Sequence, residues 1–171
     1  MNLMRLPSSK KITYLAFFTA IALIFSYVET LIPINFGIPG VKIGLANIVS
    51  VLVLYLYGFI PAIIVAITRI ILSGLLFGNM FSIIYSLAGA VLSIIIMNFI
   101  IKNDKFSLYG VSILGAVMHN LAQLTVAVFV VKQLKLGYYG PILILSGVIM
   151  GVLTGMISKE ILKRVETYVR L

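Results

Sequence analysis

The sequence predicts an all-α integral membrane protein, a bundle of six transmembrane helices with both termini in the cytoplasm. Three observations point there. Apolar residues make up 62% of the chain and charged residues 10%, with a mean hydropathy of +1.21, where soluble domains use roughly 45–50% and 25%. The apolar stretches are long and continuous, whereas strands of a membrane barrel alternate apolar and polar residues. Lipid offers no partner for backbone N–H and C=O groups, so such stretches must span as helices. Finally, a crossing of the roughly 30 Å hydrocarbon layer consumes about 20 residues, so a chain of this length holds about six crossings and no soluble domain. Residues 1–171 therefore read as a single transmembrane domain.

Taken in order, the first helix falls at 12–32. Arg5, Lys10 and Lys11 precede it as they would in a secretory leader, but the apolar stretch is too long and lacks a small-residue cleavage site, so it is expected to be retained. Pro33 and Pro39-Gly40 separate it from a second helix at 43–59. The third, 61–77, begins at Pro61, where a first helical turn does not need the missing N–H. Gly78-Asn79 divides it from the fourth, 80–101, which ends at Lys102-Asn103-Asp104-Lys105. A fifth helix covers 108–131, and the punctuation from Gly137 to Pro141 leads into the sixth, 139–162.

The charges orient this bundle. The net charge of +9 would raise nucleic-acid binding in a soluble domain, but here the basic residues read first as topology signals and no nucleic-acid partner is expected. One side collects Arg5, Lys10, Lys11, Lys102, Lys105, Lys159, Lys163, Arg164 and Arg170, and the other Lys42, Lys132 and Lys135. Nine against three puts both termini inside. The absence of cysteine removes disulfides and thiolate metal sites.

Orientation gives each polar residue a depth. Glu29, Lys42, Asn47 and Asn79 fall at the outer ends of their helices, with Tyr85 and Ser86 just inside and Arg69 near mid-membrane. The fifth helix adds His119, Asn120 and Gln123 from its middle outward. A charge at the bilayer centre costs at least about 2.5–3.5 kcal/mol, and such residues usually face a bundle interior or a wet cavity. Two readings fit Arg69: a packing contact with Glu29 or a carbonyl, or one wall of an outward polar pocket. Concentration of polar residues at one depth on several helices favours the pocket, with Glu29, Lys42, Asn47, Arg69, Asn79, Tyr85, His119, Asn120 and Gln123 as substrate-binding candidates. A lone His119 makes no metal site, and the amides of Asn120 and Gln123 could equally bond a neighbouring helix. Tyr138 and Tyr139 suit an interfacial aromatic belt. The apolar loop Ile32 to Lys42 could be a lid over the pocket or a plain interfacial hairpin.

Small residues recur at four-residue spacing: Gly147, Gly151 and Gly155, Ala16 and Ala20, Gly74 and Gly78, and Ser82, Ser86 and Ala90. Such faces let helices approach closely, and packing inside the bundle is their default reading. No Walker A motif is present, so uphill transport would draw on an ion or another subunit.

Three runs together carry a resemblance: Pro39-Gly40-Val41-Lys42-Ile43-Gly44-Leu45-Ala46-Asn47-Ile48-Val49, Arg69-Ile70-Ile71-Leu72-Ser73-Gly74-Leu75-Leu76-Phe77-Gly78-Asn79, and His119-Asn120-Leu121-Ala122-Gln123. They look like the bacterial family known both as Gx transporter and as heptaprenyl diphosphate synthase component I. That family in turn resembles the S components of energy-coupling factor (ECF) vitamin transporters. The resemblance implies a six-helix, S-component-like protein of the bacterial cytoplasmic membrane with an outward pocket lidded by the first loop. It also implies docking through an Ala-x-x-x-Ala face, matched by Ala16 and Ala20, onto a T subunit carrying ATPases. ATP would then be used by those partner subunits, with no cofactor bound by this chain.

The expected function is thus a non-enzymatic, substrate-binding subunit for a small anionic or amphipathic nutrient or cofactor precursor. Prenyl elongation by the usual mechanism needs aspartate-rich magnesium sites, and Asp104 is the chain's one aspartate, so a catalytic synthase subunit is excluded. An accessory membrane protein of isoprenoid or quinone synthesis is the alternative. A solitary ion-coupled carrier is a third reading, made less attractive by the scarcity of buried carboxylates beyond Glu29.

Overall fold

The computed structural model describes residues 8–31, 44–102 and 106–169. These residues form α1 (Ser8–Leu31), α2 (Leu45–Tyr57), α3 (Phe59–Phe77), α4 (Met80–Ile101), α5 (Leu108–Val131), a short 3-10 helix (Leu134–Tyr139) and α6 (Gly140–Val169), with no strand among them. All the α-helices except α2 are long and apolar enough to cross a membrane. The loop from Ile32 to Lys42, proposed as a lid, lies outside the described residues, as does Lys42 itself.

α1 and α6 extend further than the hydropathy pattern indicates, starting at Ser8 and ending at Val169. Their extra turns are polar, which a hydropathy reading cuts off although the helix continues. At the end of α6 such a turn holds an exposed Arg164–Glu160 pair, Nε to Oε1 2.9 Å, of the i,i+4 kind that supports helix in water.

α2 is the unusual element. Its 13 residues rise about 20 Å, less than the roughly 30 Å hydrocarbon thickness. Both flanks explain the length. Gly44 sits at φ +80° and Gly58 at φ +89°, left-handed backbone that a Cβ resists. Gly58 turns the chain directly from α2 into α3. Between these limits α2 is apolar apart from Asn47 and Ser50, close to the pattern of a buried helix, and every residue from Ile48 to Leu54 is buried.

Packing follows chain order around this core helix. α1 contacts α2 and α3, α3 contacts α4, α4 contacts α5, and α5 contacts α6, while α2 reaches α1, α3, α4 and α6. α2 runs antiparallel to α1: its first residue meets Glu29, and its last, Tyr57, meets Tyr14 and Phe18 with ring centroids 6.5 and 5.9 Å apart. The starts of α1, α3 and α5 and the ends of α2, α4 and α6 gather at one end, where Lys159 lies 4.9 Å over the Tyr109 ring. We call this the basic end.

Polarity runs inward. Ile12, Phe17, Ile24, Phe99, Phe129 and Ile149 are exposed on the flanks, while Ser26, Ser50, Arg69, Ser112, Thr154 and Ser158 are buried. Without a hydrophobic force between helices in lipid, association depends on close contact, and the glycines of α6 supply it. A Cβ at Gly151 would lie 2.5 Å from the Ile113 Cα, one at Gly147 2.9 Å from the Val117 Cα, and one at Gly155 3.2 Å from the Tyr109 ring. This face is therefore a seam within the bundle, against α5. The Gly74 face likewise receives Ile83 of α4. Ala16 and Ala20 behave differently: both are exposed, facing away from the other helices.

Candidate functional site

The end opposite the basic end is open inside. A cavity of about 210 Å³ lies there, among α1, α3, α4, α5 and the first turn of α2. The sequence-expected residues Glu29, Asn47, Arg69, His119, Asn120 and Gln123 all line it. Residues as far as 94 positions apart, Glu29 and Gln123, are thus brought to one space by four different helices.

Arg69 is the most buried of the charged lining residues, with 8% of its surface exposed. One terminal nitrogen, Nη1, donates to the Ser26 hydroxyl at 3.2 Å. Its Nε–H is buried without a hydrogen-bond partner among the described residues. A guanidinium is always charged and carries five donors in a fixed fork, so a residue that lines the cavity keeps a donor without a partner among the described residues.

Glu29 answers the other question its sequence position raises. Its Oε1 accepts the backbone N–H of Leu45 at 2.6 Å, so a carboxylate from α1 caps the first turn of α2. The contact satisfies one of the orphan donors at that helix start and places negative charge at the positive end of the macrodipole. Gly44 offers no side chain to cap α2, and Glu29 supplies the missing acceptor.

The remaining candidates divide. Asn120 Nδ2 donates to the Leu143 carbonyl of α6 at 2.9 Å, so at least one of its donors is engaged in helix packing. His119 lies over Gly89 of α4, where a Cβ would sit 2.9 Å from the imidazole; any larger residue at 89 would displace the ring. Asn79 does not line the cavity. It is exposed, and its side chain caps α4, with the Ser82 N–H donating to Oδ1 at 2.8 Å and the Asn79 N–H donating to the Ser82 hydroxyl at 3.2 Å, a capping box. Tyr85 lines a second, neighbouring space.

Several lining residues were not singled out as ligand candidates: Ser26, Thr30, Ser73, Phe77, Ser82 and Ser86. Ser82 and Ser86 read in the sequence as a small packing face, whereas both residues line the cavity. The available signal for Ser26 was its i,i+3 spacing from Glu29, which puts both on one face of α1. Among the described residues no group of three or more His, Asp or Glu side chains gathers.

Beside the polar cavity lies a larger, partly open space of about 450 Å³ bordered by α4, α5, the 3-10 helix and the start of α6, with Leu124, Ala127, Val131, Leu136 and Leu143 in its walls. Ser82, Ser86, Asn120 and Gln123 line both spaces.

A helical bundle with five helices long and apolar enough to cross a membrane has the makeup of a multi-pass membrane protein. The chain belongs to the heptaprenyl diphosphate synthase component I family, whose sequence profile matches residues 18–161. That match contains every residue of the polar cavity. No curated protein matches the chain significantly, and no solved structure does either.

Proposed function

We propose that the chain is a substrate-binding membrane subunit of an ECF-type importer, which takes up a small anionic or amphipathic nutrient or cofactor precursor across the bacterial cytoplasmic membrane. The observation that carries this reading is the buried, partly unsatisfied Arg69 guanidinium on the wall of a cavity at the end away from the basic segments. By the charge bias that end faces outward, as a receptor for an external nutrient requires. A charge retained at such depth purely for packing would have its donors filled, because unsatisfied buried donors are destabilising.

Energy would come from a T subunit and ATPases. Ala16 and Ala20 support this, since their face of α1 is exposed and small enough for close approach by another transmembrane helix. The chain itself is non-catalytic in this reading, with the lipid bilayer as its surroundings.

A second reading is favoured by the family's own description. A component I implies at least one other component, and the chain would then be an accessory subunit to a prenyl diphosphate synthase rather than to a transporter.

Affinity purification of the tagged protein from native membranes separates the two. Recovery of a T subunit with ATPases supports import; recovery of a soluble prenyltransferase without them supports the accessory role and overturns the first reading. For the cavity, Arg69→Ala is expected to lower affinity for a co-purifying ligand at least about tenfold, or 1.4 kcal/mol, in protein that still inserts. Native mass spectrometry of the two purified forms measures it, and equal ligand occupancy would rule out this cavity as the site.

A further inference from the structure

The two spaces at the cavity end differ in chemistry and share a wall. The smaller holds Arg69, Glu29, His119 and the first turn of α2. The larger is walled mainly by aliphatic side chains, with Tyr85 and Tyr139 at its edge. They meet at Ser82, Ser86, Asn120 and Gln123, which line both. We propose that one ligand occupies both: an amphiphile whose head carries at most one negative charge and sits against Arg69, and whose short apolar tail fills the chamber beneath the 3-10 helix. The proposal rests on the reading of the polar cavity as a ligand site, and it adds the class of ligand.

The tail assignment follows from continuity. An apolar hollow alone would carry no occupant, but this one opens onto the polar seam, so a molecule anchored at Arg69 has its non-polar part directed there. Together the two volumes, 210 and 450 Å³, fall within the roughly 300–1,000 Å³ usual for small-molecule sites. An apolar lining with a few convergent polar groups is the usual composition of such sites.

The charge limit follows from counting what faces the head. Among the described residues the cavity offers one guanidinium, with one nitrogen already given to Ser26, the single imidazole of His119 and one helix start. Glu29 lies in the same cavity and already accepts at that helix start. The macrodipole contributes only about half an elementary charge, and the carboxylate opposes it. A diphosphate, with two or more negative charges, is normally held by several Arg or Lys side chains or by a metal. A carboxylate, or a neutral head rich in carbonyl acceptors, matches one Arg with a spare N–H.

The test uses the full chain in phosphatidylcholine nanodiscs and three soluble probes: 6-phenylhexanoate, 6-phenylhexyl diphosphate and acetate, with binding followed by calorimetry. The expected result is that 6-phenylhexanoate binds at least tenfold more tightly than either of the others. Ala127→Phe, which fills the apolar chamber, should weaken it at least tenfold, and Arg69→Lys should weaken it as well. Val131→Gln, at the exposed edge of the chamber, provides a second tail variant should Ala127→Phe not fold. If Arg69→Lys reduces affinity while neither tail variant does, the apolar chamber holds only bilayer lipid and the two-part ligand is overturned, although the polar cavity stands. Tighter binding of the diphosphate overturns the charge limit. Failure of all three probes to bind wild-type protein overturns both the ligand class and the cavity reading when Arg69→Ala also leaves co-purifying ligand unchanged, and the ligand class alone when it does not.

Discussion

The α5–α6 seam and the cavity walls meet the same problem, an interior without water, in opposite ways. At the seam, side chains are removed: Gly147, Gly151 and Gly155 bring the two backbones to contact, and dispersion does the work that the hydrophobic effect cannot do in lipid. In the cavity, polar side chains are retained and only partly paired, with Arg69 joined to Ser26 and Glu29 to the start of α2. One region is closed by backbone contact; the other leaves an open space lined by polar side chains. Their stabilities should therefore respond differently to the same size of change.

The largest effect is expected at the seam. Gly151→Val forces side-chain atoms into the Ile113 backbone, where a Cβ alone would lie at 2.5 Å, and backbone cannot swing aside as a side-chain tip can. Destabilisation of about 3 kcal/mol or more is expected, read as a lowered unfolding temperature in detergent. Gly137→Ala, with open space around its Cβ, is the matched control and should be nearly neutral. A Gly151→Val protein as stable as wild type would break the comparison.

An intermediate effect is expected where the cavity is tied to the fold. Glu29→Ala removes the acceptor of the Leu45 N–H and should cost about 1–2 kcal/mol, by analogy with the loss of a helix cap. Hydrogen exchange resolves it, with protection lost at the first turn of α2 and unchanged in α5 and α6. Uniform loss of protection would instead make Glu29 part of the global packing.

The smallest effect sharpens the boundary of the cavity. Asn79→Ala should cost about 1 kcal/mol through the lost cap of α4 and leave ligand occupancy unchanged, because Asn79 is outside the cavity lining. A matching fall in occupancy, measured by native mass spectrometry, would show that the α3–α4 turn contributes to binding directly.

Much of this contrast was legible from residue order, for identifiable reasons. Hydropathy located the helices because a lipid-facing segment must be apolar along its length, and Gly58, Pro61 and Gly78-Asn79 marked turns through local backbone chemistry. Polar residues stood out in the depth map because few are tolerated in such helices, which is why Glu29, Asn47, Arg69, His119, Asn120 and Gln123 could be grouped before their positions were known. Asn79 and Ser82 were less legible: a polar residue at a helix start reads the same whether it caps that helix or faces a ligand. Ala16-x-x-x-Ala20 and Gly147-x-x-x-Gly151 likewise share one pattern, yet the first is exposed and the second is sealed against α5.

The sequence by itself determined the helical class, the number and order of the helices and the uneven distribution of basic residues along them, because these follow from composition and short-range periodicity. Tertiary structure decided that α2 is the short, enclosed helix, that its start is capped by a carboxylate from α1, and that a polar cavity and an apolar chamber adjoin. Those outcomes depend on which faces of different helices meet and on where one helix stops relative to its neighbours. No local pattern carries that information, since a glycine or serine every fourth residue defines a face without naming what will lie against it.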